Sequence, residues 1–275
     1  MLALLQIYWL SIAASAALGG GLALLGAQLA ARDRAMQTMC VGQGAMLGVL
    51  LGIGLNQVLH DSEGEAVVLP FAFALATAAV TYLASERFVA RMSASKNTHF
   101  TAVFATLLAG GYLVSALFPA LENHMAQKYF GDLATMSESG ATGVLVLGCV
   151  LIGTLMAFRR HITRDSFAMA IMGARRTPTG LVFAIGTLIV LCFSIQVVGF
   201  LFTVACLFLP TSALSFQRKV GLNRHLLACL ATAVFACCAG FVATLWMTRL
   251  PTVPAIIIVM GVSALGSNIL SRRLL

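Results

Sequence analysis

Nine apolar runs, at about residues 5–31, 37–59, 66–85, 99–118, 140–158, 179–195, 198–214, 226–247 and 253–270, succeed one another through this 275-residue chain. Most come close to the roughly 20 residues that a bilayer core demands of a helix. In hydrocarbon the backbone has to satisfy its own polar groups, which a helix does. Composition agrees: 60% of residues are hydrophobic, 9% are charged and the mean hydropathy is +0.97, too little polar surface to cover a soluble globule. The expected fold is all-α, a polytopic membrane helix bundle of eight or nine transmembrane helices, with residues 1–275 forming a single transmembrane domain. The first run is too long and too weakly flanked for a cleaved signal peptide. The count stays open at residues 179–214, where only Ser194 and Gln196 interrupt the apolar pattern, as two short spans or as one span with a re-entrant piece.

Loop charge bears on both the count and the orientation. With the N-terminus outside and nine spans, only Lys128 and Arg249 of the 17 Lys and Arg residues fall outside. That is a strong positive-inside signal, and it supports a hairpin near Gln196, because a single span there would reverse every later loop. The net charge of +8 is accordingly a sign of orientation in a lipid bilayer, and nucleic acid is not an expected partner. The C-terminus is expected to be cytoplasmic.

Two loops exceed simple turns. The outer one, about 119–139, reads PALENHMAQKYFGDLATMSES and suggests an interfacial or re-entrant helix. The cytoplasmic one, 158–180, reads FRRHITRDSFAMAIMGARRTPTG. There Thr163 and Asp165 are candidate helix caps, Phe167, Ala168, Ile171 and Met172 share a helical face, and Gly173 is a natural stop. A short amphipathic helix at about 163–176 is therefore expected, either lying on the membrane surface or docking a partner.

Val198, Gly199, Leu201, Leu207, Pro210 and Ala213 resemble the Val-Gly, Leu-rich, Pro-Ala-Ala-x-Ala span of the permease subunits of ATP-driven zinc, manganese and iron importers. Tyr129, Phe130, Gly131, Asp132 and Leu133 resemble that family's Phe-Gly-Asp-Leu segment, and residues 165–173 are similar to its coupling helix. The resemblance implies a type II importer-like bundle in a bacterial cytoplasmic (inner) membrane, driven by alternating access. It implies three partners: a separate ABC ATPase subunit, a second permease copy or a paralogous permease, and an extracytoplasmic substrate-binding protein. Asp165, Phe167, Ala168, Ile171 and Gly173 would then couple to the ATPase. No cofactor is expected in this chain, with ATP and Mg on the partner, because Lys96, Lys128 and Lys219 lack the glycine-rich context of a phosphate-binding loop.

The same resemblance raises the question of substrate. The family's Gly-Asp-x-x-x-His pattern sets a carboxylate and an imidazole one turn apart, a divalent-cation site. Here Met39 stands for the Asp and Gln43 for the His, and near the start of the last span Arg249 precedes Leu250 and Pro251, where the family usually has an acidic residue before the proline. Met39, Cys40, Gln43 and Arg249 are the substrate-pathway candidates, and no metal ligand set is identified. Four readings stay open: a second permease supplies the ligands; the substrate is a neutral or anionic metal complex; Met36, Met39, Cys40 and Met46 are soft ligands for a thiophilic metal; or these residues only pack. Gly44, Gly48 and Gly52 are read first as close-packing positions and second as pore-lining.

His60, Asp61, Glu63, Glu65, Glu122 and Asp132 gather outside and could contact a binding protein or attract cations; a solvated turn is the plain alternative for the first four. The seven cysteines all lie within spans and suggest neither a disulfide framework nor a zinc site. An ion-coupled secondary transporter would call for an internal repeat and an ionisable residue at the midplane, and neither is evident. A non-transporting membrane scaffold leaves the coupling-helix match unexplained. No paired catalytic acids or metal-binding histidines mark an enzyme.

Overall fold

The computed structural model describes residues 2–59, 68–91, 96–118, 121–131, 133–172, 177–214, 221–247 and 250–273. Among them are eleven helices and no strand: α1 (Leu2–Ala31), α2 (Ala35–Leu59), α3 (Val68–Arg91), α4 (Lys96–Leu117), α5 (Leu121–Phe130), α6 (Glu138–Ala157), α7 (Arg159–Met172), α8 (Pro178–Val198), α9 (Phe200–Leu214), α10 (Leu222–Trp246) and α11 (Thr252–Arg273). Seven, namely α1–α4, α6, α8 and α10, are long and apolar enough to cross a membrane, and α9 and α11 contain shorter apolar helices. These nine correspond to the nine apolar runs, each starting within about one helical turn of its expected position. The two additional helices, α5 and α7, occupy the two long loops.

The chain divides into two compact units, one built from residues 1–32, 132–180 and 201–275, the other from residues 33–131 and 181–200. Each is organised around one nearly encased helix. Within their apolar windows α1 is 78% buried and α2 is 72% buried, against 17–39% for the other long spans. Such all-round burial explains why neither helix has a distinct polar face.

In the first unit α1 packs against α6 and α10, and α11 packs on α10. Small residues permit the close approaches. A Cβ on Gly26 would fall onto the backbone carbonyl of Leu207 in α9, and one on Gly148 of α6 would come within 2.5 Å of the Leu18 nitrogen. In the second unit α2 packs against α3, α4 and α5. Gly44, Gly48 and Gly52 of α2 face α3: a Cβ on Gly48 would lie 2.5 Å from the Phe73 oxygen and 2.7 Å from the Ala74 Cα, and one on Gly52 would lie 2.5 Å from the Pro70 Cα. Close packing, the first of the two readings, accounts for them.

Three local expectations are corrected. The break in the apolar stretch after residue 179 falls at Gly199 rather than near Gln196, since α8 runs through Ser194 and Gln196 to Val198. Only at Gly199 does φ reach +103°, a conformation that L side chains rarely adopt. The short amphipathic helix begins at Arg159 rather than at residue 163, immediately after the α6 cap Phe158, whose N–H reaches the Thr154 carbonyl. Thr163 and Asp165 thus lie inside α7 and cap nothing at its start, and the Asp165 carboxylate is engaged elsewhere.

Candidate functional site

Two places in the molecule gather polar groups that an apolar bundle would otherwise avoid, one in each unit. The first surrounds α7. Its inward face carries Ile162, Asp165 and Ser166, all buried, against the end of α1. The guanidinium of Arg32, just past that end, lies 3.1 Å from Asp165 Oδ2, with side-chain exposures of 3% and 6%. Arg32 Nε donates to Ser166 Oγ at 2.9 Å, and Nη2 donates to the Ile162 carbonyl at 3.3 Å. The other Asp165 oxygen accepts from the Thr177 hydroxyl. Thr177 in turn caps α8, accepting from the Gly180 N–H at 3.0 Å, with Pro178 in the first helical position where a missing N–H costs nothing. One carboxylate therefore ties α7 to the end of α1 and to the start of α8.

The second place lies along α2. Leu121 at the start of α5 lies beside Gly54 of α2, its Cδ1 3.0 Å from where a Cβ would stand. At the other end of α5 the Tyr129 ring lies 5.4 Å from that of Phe200, and Phe200 covers Gly42 of α2. From Gly42 to Gly54 is about 18 Å of helix, and ten residues of α5 make about 15 Å. So α5 runs lengthwise back along α2, beside its apolar span at Ala35–Gln57.

The end of α5 meets the end of α8. Gly131 (φ +81°) and Gly199 (φ +103°) lie against each other: a Cβ on Gly199 would be 2.6 Å from the Gly131 Cα and 2.7 Å from its nitrogen. Each glycine closes its helix in the left-handed manner, Gly131 N–H to the Gln127 carbonyl and Gly199 N–H to the Ser194 and Ile195 carbonyls. Lys128 Nζ donates to the Gln196 carbonyl at 3.0 Å. A cation thereby meets the negative end of the α8 dipole, where a free carbonyl would be costly in an apolar setting. Two segments singled out in the sequence, Phe-Gly-Asp-Leu and Val-Gly, are thus partners in space.

Of the pathway candidates, Gln43 is 2% exposed, and its Oε1 has no hydrogen-bond partner among the described residues. Cys40 is fully buried and its thiol donates to the Phe100 carbonyl at 2.9 Å. Met39 is half-buried and Met46 is 1% exposed. Nearby Gln37 donates to Ser85 Oγ at 3.0 Å, and Arg34 pairs with Glu86 at 3.0 Å and Tyr82 at 2.8 Å. Burial, the largest influence, opposes the Arg34 charge, but Tyr82 and Glu86 together raise its pKa. Arg249 lies outside the described residues, as do His60, Asp61, Glu63, Glu65, Asp132 and Gly173. Glu122 lies in α5, Phe167 and Ile171 in α7, but their side chains are outside the described set; Ala168 is half-buried. Among the described residues no group of three or more His, Cys, Asp or Glu is placed to hold a metal ion. Sequence reasoning missed Arg32, Lys128 and Thr177, whose partners lie far away in the chain.

Nine apolar helices, with the shorter helices α5 and α7 between them in the chain, define a polytopic membrane protein of permease type. The sequence matches the ABC 3 transport family over residues 5–271, and the chain belongs to that family. Among solved structures it is similar to PsaBC from Streptococcus pneumoniae in complex with Fab, with a TM-score of 0.77 and 14% sequence identity over 97% of this chain and 95% of that one; at that identity the likeness concerns the fold. A comparison with curated proteins finds no match. The resemblance to metal-uptake permeases is borne out at the level of the family.

Proposed function

We propose that this chain is the permease subunit of an ATP-driven importer for a transition metal or metal complex, powered by a separate ATPase that supplies ATP and Mg. The observation that carries this reading is the buried link from α7 through Asp165 and Arg32 to α1. A helix held to the central helix of its unit by a buried ion pair moves with it, so a push on α7 is transmitted rather than absorbed. Asp165 is a positioning residue here, with Phe167, Ala168, Ile171 and Gly173, beyond the first turns of α7, proposed to make the ATPase contact. The chain sits in a bacterial inner membrane with its N-terminus outside and α7 cytoplasmic. It works with a second permease, identical or paralogous, and with an extracytoplasmic binding protein. His60, Asp61, Glu63, Glu65, Glu122 and Asp132 are proposed to meet that protein.

For the pathway we propose Gln43 as the polar contact. The Cys40 thiol already serves a backbone carbonyl, which weakens the case for a soft Met/Cys site. A lone amide oxygen is a poor replacement for a carboxylate and an imidazole around a bare transition metal, but it suits a hydrogen-bond donor on a metal complex. Gly173→Trp is expected to leave the permease folded while ATP hydrolysis continues with transport largely lost. ATPase and uptake assays on the same proteoliposomes check this, and an unchanged ratio of the two contradicts it.

A further inference from the structure

We propose that the first unit carries a binding site for the phosphate headgroup of an anionic phospholipid of the cytoplasmic leaflet; this side assignment rests on the orientation proposed above. A cavity of about 300 Å³ opens where the first turns of α7 and α10 meet, lined among others by Arg159, Arg160, Thr163, Arg164, Leu222 and Asn223. Positions 159, 160, 163 and 164 repeat at helical spacing on the face of α7 away from its buried residues Ile162, Asp165 and Ser166. Three arginines thus line one hollow, with Thr163 and Asn223 beside them.

Their charge is not otherwise used. Among the described residues the two ion pairs are Arg32–Asp165 and Arg34–Glu86, so none of the three arginines has a carboxylate partner. The amino end of α10 adds to the same field, because its cap Gly221 supplies no side-chain hydrogen bond to the first turn and the open N–H groups favour an anion. A phosphate offers paired charged oxygens that the planar arginine fork matches two at a time.

The apolar surroundings select a lipid over a free anion. Leu222 at the rim is 41% exposed, and on another face of α10 Leu227 (51%) and Phe235 (60%) form an exposed stripe, with exposed Ala231 between them at four-residue steps. On the α6 side Phe158 is 58% exposed, with Val150 (54%) and Val146 (56%) beyond it. Leu230 and Val234 of α10 and Ile152 of α6 meet over Gly20 of α1, so the two helices are close neighbours there, while Val146 and Val150 stand on another face of α6. A headgroup in the cavity would lay its acyl chains against the exposed apolar face of α10, the arrangement expected for basic pockets at cytoplasmic helix ends.

Native mass spectrometry of the full-length permease in detergent, titrated with phosphatidylglycerol or phosphatidylcholine, tests the site without reference to transport. Wild type is expected to retain phosphatidylglycerol roughly tenfold or more tightly than phosphatidylcholine. R159Q/R160Q/R164Q should lose that preference, and R159K/R160K/R164K should keep most of it. Millimolar inorganic phosphate should leave the bound lipid in place. Equal retention of the two lipids by wild type, a preference surviving in the Gln variant, or displacement by inorganic phosphate would each overturn the proposal. So would a Gln variant that keeps its lipid but no longer binds the ATPase, which would assign the arginines to a protein surface.

Discussion

Replacing Asp165 with alanine is expected to destabilise the purified permease by roughly 3–5 kcal/mol, because it strands the Arg32 guanidinium in a buried site without its counter-charge. The side chains are 3% and 6% exposed, so water cannot take the place of the lost partner. The Thr177 hydroxyl loses its acceptor as well, and the cap of α8 loses its anchor. Asp165→Asn keeps an acceptor for Thr177 and should fall between alanine and wild type. The double replacement Arg32→Met with Asp165→Leu removes both charges together and should recover most of the stability, since apolar side chains of similar size often equal a buried pair. Thermal unfolding of wild type, Arg32→Met, Asp165→Leu and the double replacement forms the cycle that isolates the pair. If α7 transmits force through this contact, the double variant, though stable, will hydrolyse ATP with reduced transport. A stable double variant with normal transport per ATP would show the pair to be merely structural.

The second large effect is expected at Gly199. Alanine there must hold φ near +103°, at about 1–3 kcal/mol for the backbone alone. Its methyl would also lie 2.6 Å from the Gly131 Cα, a backbone atom that cannot step aside as a side chain would. The end of α5 has to retreat from α8, which withdraws Lys128 from the Gln196 carbonyl. Gly143→Ala on α6 is the matched control, because its Cβ would meet nothing within 4 Å and alanine favours a helix. The control should unfold at or slightly above the wild-type temperature, and Gly199→Ala well below it with impaired uptake. Equal melting temperatures for the two variants would contradict the role assigned to the glycine contact.

These two sites also show what could be read from the sequence and what could not. Hydrophobicity is a local property, so the nine apolar helices were legible almost to their ends, and glycine spacing in α2 announced the close approach of α3. The Val-Gly and Phe-Gly-Asp-Leu segments were visible as motifs, but nothing in either sequence said that Gly131 and Gly199 touch. The start of α7 escaped because Phe158 carries no capping side chain, while Thr163 and Asp165 offer one and do not use it. Asp165 looked like a cap or a surface contact because its partner Arg32 lies 133 positions earlier in the chain. The run 119–139 reads as an interfacial or a re-entrant helix, since a half-polar helix suits either, and its packing along α2 depends on partners distant in the chain.

The most direct test is ATPase stimulation of the reconstituted permease and ATPase by a binding protein loaded in turn with bare Zn(II), bare Mn(II) and metal complexes, with Gln43→Ala measured alongside. Strong stimulation by a metal complex, weak stimulation by either bare cation and reduced response in Gln43→Ala is the predicted result. Full stimulation by bare Zn(II) or Mn(II) without a second, different permease would contradict the proposed substrate, and robust ion-gradient-driven flux without any ATPase would contradict the importer itself.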